Sequence, residues 1–441
     1  MSVQYRATGQ SAKAISESFE SGIRAGALAL GEVLPSVRAL ATDLGVAPGT
    51  VASAYKLLRE RGLVETGGRN GTKVSLRPPL TARSSAPLVE AGVADLADGQ
   101  PDPELLPALD LTSSPIAGGS AAVPADYLLP ELMTLSRKRF GADGVPTDAM
   151  TIASGGLDAI RQVLSAQLRP GDAVAVEDPG WPNALDLIAT LGLRTLPVAM
   201  DSQGPLAPAL ADALRAGARA VVITSRAQNP TGVVVSSRRA AELRGVLAGY
   251  PQTVLIEDDH AAELAGAPLA SLCGATESWA FVRSTSKPYG PDLRVALIAG
   301  DEATIARVDG RMRVGSGWVS TVLQRLVVQL WTSDAAASVV AEAAVAYDDR
   351  RHSLMAQLAE RGITGIGETG LNVWIPVDDE TATVTSLLRA GWAVAPGFRF
   401  RQVSPPGVRI TVSGLTLATI PRLADDLVSA LAVSHGQRYT T

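Results

Sequence analysis

The sequence predicts an α/β protein: a large unit with a mostly parallel sheet and a smaller α+β lobe at its C-terminal end, preceded by a small helical module. Three observations carry this. From about residue 148 to 300, short Val/Ala/Ile runs alternate with helical patterns, as strands joined by crossover helices do. Residues 1–80 instead show helical periodicity and hold 10 Lys+Arg against 6 Asp+Glu, a net of +4, so the rest of a chain of net charge −5 carries −9. A length of 441 residues suits one small plus one large domain.

Taken in order, Ile15, Phe19 and Ile23 recur at helical spacing. Residues 34–46 then predict a helix with Ser36 as N-cap, Val37, Leu40, Ala41 and Leu44 as its apolar stripe, and Gly45 just past its end. A second helix is expected over about 49–61, with Val51, Tyr55 and Leu58 on one face and Gly62 after it. Two short helices joined by a tight turn make a helix-turn-helix. Residues 63–76 read as a β-hairpin, a wing. A basic module on an acidic body is the electrostatic footprint of a protein that meets nucleic acid at one end.

Leu34-Pro-Ser-Val-Arg-Ala-Leu-Ala41 and Gly49-Thr-Val-Ala-Ser-Ala-Tyr55 resemble the GntR winged-helix family. The resemblance implies a double-stranded DNA operator as partner. It implies contacts from Ser36 and Arg38 before the turn, from Thr50, Ser53, Tyr55 and Lys56 on the recognition helix, and from Arg69 and Gly71 at the wing tip. Tyr55 is expected to pack, with its hydroxyl on a phosphate. Lys56, Arg59 and Lys73 are either phosphate contacts or solvated. Pro48 stands where many relatives have a base-reading arginine. Proline starts a helix well but cannot read a base, which leaves Thr50 and Ser53 as readers.

Residues 78–94 form the predicted linker, containing Pro, Ser and Ala without an apolar period. In residues 95–441, Lys287 lies in Arg283-Ser-Thr-Ser-Lys-Pro-Tyr-Gly-Pro-Asp-Leu-Arg294. Its amine suits a Schiff base with pyridoxal phosphate (PLP), and Ser284, Ser286 and Arg294 suit the phosphate. Ser154, Gly155 and Gly156 follow one strand and open a helix, where free backbone N–H groups bind phosphate. Trp181 follows a second strand and can stack on a ring. Asn229 follows a third and can donate to a ring oxygen. Asp258 ends a fourth, where a carboxylate keeps a pyridine nitrogen protonated.

In this order the segments resemble fold type I PLP enzymes, the aspartate aminotransferase superfamily, over about residues 95–435. The resemblance implies Lys287 as the Schiff-base lysine, Asp258 as the pyridinium partner and Arg409 as the residue that pairs with an effector or substrate carboxylate. The two resemblances together are similar to the MocR subfamily of bacterial transcription regulators: homodimers whose large domain senses a small-molecule effector through PLP. The forms around Arg226 and His260 are similar to a vitamin B6-responsive subgroup. A working aminotransferase with an appended DNA-binding domain is the alternative. His260 stands where most relatives have tyrosine, and either bonds the ring oxygen or fills the tyrosine's space. Arg226 makes either an anion site or a surface ion pair. Tyr127 is the one candidate for the tyrosine that reaches the partner's phosphate.

Cys273 is the sole cysteine, so no intrachain disulfide forms. Three histidines without metal spacing argue against a metal site. No apolar run reaches the roughly 18 residues of a membrane span, and the N-terminus lacks a signal-peptide core. The expectation is a cytoplasmic protein.

Arg38→Ala should weaken binding to all DNA duplexes alike and lower the slope of affinity against salt by about one. Thr50→Ala should instead relax sequence preference, by about 1–3 kcal/mol per lost base contact. Titration of labelled duplexes at several salt concentrations separates the two.

Overall fold

The computed structural model describes residues 5–24, 27–29, 31–66, 71–75, 92–109 and 127–436. Two compact units emerge, the first built on residues 1–83 and the second on most of the chain from Ser84 onward.

The small unit has three helices, α1 (Ala12–Arg24), α2 (Val37–Leu44) and α3 (Pro48–Glu60). Its hairpin consists of β1 (Val64–Thr66) and β2 (Thr72–Val74), paired antiparallel with Val64 opposite Val74. Local chemistry sets the boundaries of α2. The Ser36 hydroxyl accepts the Ala39 N–H at 3.2 Å, and Gly45 closes the helix at φ 65°, a left-handed conformation that favours glycine. Pro48 opens α3, where a missing N–H costs nothing. Ile15, Phe19, Leu40, Val51, Leu58 and Val74 bury their side chains together. That burial leaves Gly49, Ala52, Ser53 and Lys56 on the exposed face of α3, with Thr50 half-buried and Arg38 exposed on α2.

Tyr55 packs as expected, but its hydroxyl departs from expectation. It is buried edge-on to Phe19, with ring centroids 5.7 Å apart, and its hydroxyl donates to the Pro35 carbonyl at 2.7 Å. The proton predicted for a DNA phosphate is spent holding α3 against the start of α2. Ser36 likewise commits a hydroxyl lone pair to its cap. Gly71 takes φ 75° at the start of β2. Arg69 lies outside the described residues, as do positions 78–91 of the predicted linker.

The large unit begins with β3 (Ala94–Leu96). Its main sheet holds β4 (Ala149–Ala153), β5 (Ala173–Asp178), β6 (Arg194–Asp201), β7 (Gly204–Pro205), β8 (Ala218–Thr224), β9 (Val254–Asp258), β10 (Ser278–Ser284) and β11 (Ala296–Gly300), in the order β4-β11-β10-β9-β8-β5-β6-β7. The central strands β5, β8, β9 and β10 run parallel, and β11 is antiparallel to both its neighbours. β5 and β9 are buried along their whole length, as the continuous apolar runs of a doubly covered sheet require. A second sheet pairs β12 (Asn372–Pro376), β14 (Gly407–Thr411), β13 (Trp392–Pro396) and β3, which makes the smaller lobe. The expected α/β class, mostly parallel sheet and α+β lobe are all present. Among the described residues, no helix is long and apolar enough to cross a membrane.

Candidate functional site

Ligands of open parallel sheets bind beyond the carboxyl ends of the strands, and the candidate site lies there. A cavity of about 390 Å³ is lined by Gly156 beyond β4, Trp181 beyond β5, Thr224 and Asn229 at and beyond β8, Asp258 and His260 at and beyond β9, and Ser284 at the end of β10. Ser286, Lys287 and Arg294 continue the wall after β10, and Arg409 enters from β14. Register levels the strand ends: Asp258 stands opposite Thr224 on one side and Val282 on the other.

Asp258 is buried. One carboxylate oxygen, Oδ2, lies 3.1 Å from His260 Nδ1, and the other, Oδ1, has no hydrogen-bond partner. His260 therefore engages the carboxylate, not simply the tyrosine's space. It neighbours Asp258 because side chains two apart along an extended segment share a face. The Lys287 amine donates to the Gly99 carbonyl at 2.7 Å and to Gln100 Oε1 at 3.2 Å. Burial, then the charge of Arg409, pulls its pKa down to about 8 against the opposing pull of Asp98. Glu177, at the end of β5, is pushed up to about 8, chiefly by burial, although it accepts the Thr224 N–H and a Gln228 amide hydrogen.

One end of the cavity is a phosphate-like cradle. Helix α4 (Pro130–Ala142) precedes β4, and α5 (Gly156–Gln167) starts directly after Gly155, at φ 97°. A side chain at Gly155 would collide with the Arg294 guanidinium, which approaches within 2.7 Å of where a Cβ would stand. Arg294 also donates to the Ser154 carbonyl at 3.4 Å, and the Ser284 hydroxyl accepts the Ser286 N–H at 3.2 Å. Ser154 contributes only this carbonyl, because its own N–H is taken by Asp158 and the Gly155 N–H by the Ala153 carbonyl.

The other end is cationic. Arg409 is buried; Nη1 donates to Asn229 Oδ1 at 3.1 Å and Nη2 to the Ala97 carbonyl at 2.5 Å, while Nε has no partner. The Asn229 amide nitrogen is thereby turned away from Arg409. Arg399, which sequence reasoning missed, lines the same cavity. Its run Pro396-Gly-Phe-Arg-Phe400 offers no chemical motif; only the fold brings it here.

One further expectation needs correction. Arg226 makes neither an anion site in the cavity nor a surface pair. It is buried, with Nε and Nη2 on the two oxygens of Asp259 at 2.9 and 2.7 Å. Arg283 reaches the same carboxylate at 2.8 Å and Asp143 at 2.6 Å. Burial alone would raise the Asp259 carboxyl, but the two guanidinium groups hold it below the ordinary range. Tyr127 stacks on Trp318, centroids 4.5 Å apart, away from its own chain's cavity, as a residue expected to reach the partner's phosphate can be. Among the described residues no group of His, Cys, Asp or Glu could hold a metal ion.

Known proteins share both units. Residues 93–427 match the family described as Aminotransferase class I and II, and residues 11–74 match Bacterial regulatory proteins, gntR family. The vitamin B6 salvage pathway transcriptional repressor PtsJ of Salmonella typhimurium is 40% identical over 433 residues, spanning 96% of this chain and 99% of that one. The HTH-type transcriptional regulator TauR of Rhodobacter capsulatus is 29% identical over 428 residues, 85% of this chain and 86% of its own. Among solved structures, Pyrococcus horikoshii kynurenine aminotransferase superposes with a TM-score of 0.70 at 20% identity, covering 78% of this chain and 92% of its own, a likeness of fold.

Arg226→Met should destabilise the large unit by about 3–5 kcal/mol, because it strips a buried carboxylate of one partner. A lowered thermal midpoint with unchanged DNA binding would support this. A loss below about 1 kcal/mol would show that Arg283 alone suffices.

Proposed function

The chain belongs to the GntR-type regulators that carry an aminotransferase class I and II domain, the MocR subfamily, and on that premise we propose a specific role. It is a DNA-binding repressor of vitamin B6 salvage genes whose large unit holds PLP and senses its effector there. The observation that carries this reading is identity of 40% running through both units of one relative, the B6 salvage repressor. The DNA-binding unit is residues 1–77, the linker 78–94 and the sensing unit 95–441. The protein acts as a cytoplasmic homodimer.

The cavity fits PLP. A buried carboxylate oxygen without a partner is costly, and Asp258 Oδ1 would be satisfied by a protonated ring nitrogen. Because Gly155 has no side chain, the Arg294 guanidinium lies against the N-terminus of α5, where a helix N-terminus and an arginine together suit a phosphate. When bound, PLP supplies an electron-withdrawing ring and an aldehyde that reacts with amines.

The residues then divide the work. Lys287, whose amine burial pulls down to about 8, would be partly unprotonated at neutral pH, the form in which an amine is a nucleophile. Ser284, Ser286, Arg294 and the N–H of Gly156 would hold the phosphate; the Gly155 N–H is taken by the Ala153 carbonyl. Trp181 covers the ring, and the Asn229 amide, with its oxygen on Arg409, keeps its hydrogens for the ring oxygen. His260 acts through Asp258 by fixing one carboxylate oxygen so that the other faces the ring nitrogen. Arg409 takes the effector carboxylate. On the small unit, Arg38 and Lys56 meet phosphates and Thr50 and Ser53 read bases. The aminotransferase alternative draws on the shared cavity of Lys287, Asp258 and Arg409; turnover of amino donors would favour it.

PLP added to the purified protein should give a visible absorbance band that Lys287→Ala lacks while keeping its fold. The amine is reactive only without its proton, so the loading rate should rise with pH, pass half-maximum near 8 and level off above it. An unchanged band in Lys287→Ala, or loading that slows as pH rises, would remove Lys287 from this role.

A further inference from the structure

We propose that Gln228, braced by Glu177, is a positioning residue of the cofactor site: its side-chain amide ties together the loops that carry Trp181 and Asn229, and so sets both against one ring. This rests on the reading that the cavity holds PLP.

Trp181 follows β5 and Asn229 follows β8, neighbouring parallel strands of the main sheet. The paired register of the two strands ends at Val176 and Val222, short of both residues. Beyond that point Gln228, which is fully buried, joins the two segments. Its Nε2 donates to the Pro179 carbonyl at 2.9 Å and to Glu177 Oε2 at 3.2 Å, both on the chain leading to Trp181. Its Oε1 accepts the Thr231 hydroxyl at 2.6 Å and the Thr231 N–H at 3.1 Å, on the far side of Asn229. An amide offers two hydrogens and two oxygen lone pairs, so this side chain is fully committed. Its backbone is held too: the N–H donates to the Val233 carbonyl at 3.0 Å, and the carbonyl accepts the Gly232 N–H at 2.6 Å.

Glu177 completes the tie. Its carboxyl also accepts the Thr224 N–H at 3.0 Å, so one side chain of β5 holds both the end of β8 and the loop that follows it. Gly180 lets the chain fold back between Glu177 and Trp181, because a Cβ there would stand 2.3 Å from the Glu177 carbonyl oxygen. Burial pushes the Glu177 carboxyl up to about 8, so at neutral pH it mostly keeps its proton and the brace adds little negative charge beside Asp258. Arg409 turns the Asn229 amide by holding its oxygen at 3.1 Å, and Gln228 fixes the backbone from which that amide projects. Contacts of this kind work only when held within roughly 0.5 Å of their productive geometry.

The test follows the visible band of the full-length, PLP-loaded protein through a pH titration. A hydrogen bond to the ionised ring oxygen favours the form that has lost the proton shared by that oxygen and the Lys287 nitrogen, so losing the bond raises the midpoint. Asn229→Ala should raise it by roughly one pH unit. Gln228→Leu, which keeps Asn229, should move it in the same direction, and the double variant should move no further than Asn229→Ala alone. Asp98, Asp258, His260, Arg294, Arg399 and Arg409 line the cavity in all four proteins, so the differences report the amide. An unmoved midpoint in Gln228→Leu would overturn the proposal. So would a shift that adds in full to that of Asn229→Ala, which would belong to the charge of Glu177 instead. If Gln228→Leu folds poorly, Thr231→Val decides, because it removes only the hydroxyl on Gln228 Oε1: a smaller rise supports the proposal and no rise overturns it. Failure of the wild type to give a band with PLP would instead defeat the functional reading on which this proposal rests.

Discussion

A carboxylate oxygen held out of water without a partner is among the most costly arrangements a protein can keep, and Asp258 Oδ1 is held that way. The large unit is organised around this group. β9 carries it to the end of the sheet, β8 and β10 bring Thr224 and Ser284 beside it, and His260 takes its other oxygen. The same burial pulls the Lys287 amine toward neutrality and pushes the Glu177 carboxyl up. A site tuned for a cationic ring nitrogen and a reactive amine is what this desolvation produces.

The alternation of an extended chain explains why four acidic or basic residues in a row can coexist here. Residues two apart share a face. Asp258 and His260 turn toward the cavity, and Glu257 and Asp259 turn away from it. Glu257 finds Ser225 and Ser271. Asp259 finds Arg226 and Arg283, and the Arg283 guanidinium also lies over the rings of Phe140 and Phe281, at 4.9 and 5.3 Å. The run thus serves two environments: a polar cavity and a buried ion network that braces the sheet behind it.

What was legible in the sequence follows from the range of each interaction. The helix-turn-helix could be read because its signals are local: the Ser36 cap, Gly45 at positive φ and Pro48 at a helix start each act within one turn. The cavity residues on strand ends could be read because each follows an apolar run. Partners set by tertiary packing could not. Arg226 meets Asp259 across 33 positions, Tyr55 spends its hydroxyl on Pro35 across 20, and the Arg409–Asn229 bond spans 180. Arg399 stands in a turn with no motif of its own and enters the cavity only because Asp178 and Glu380 fasten that turn from distant segments.

A sensor and a DNA reader in one chain are useful only if they are coupled, and coupling is a free energy that acts in both directions. The direct test is the affinity of the full-length protein for its operator, measured with and without PLP at fixed salt. The account predicts a change of roughly 5–150-fold, the usual range for such coupling, and its absence in Lys287→Ala. Equal operator affinity in both states, alongside rapid amino-donor turnover, would contradict it.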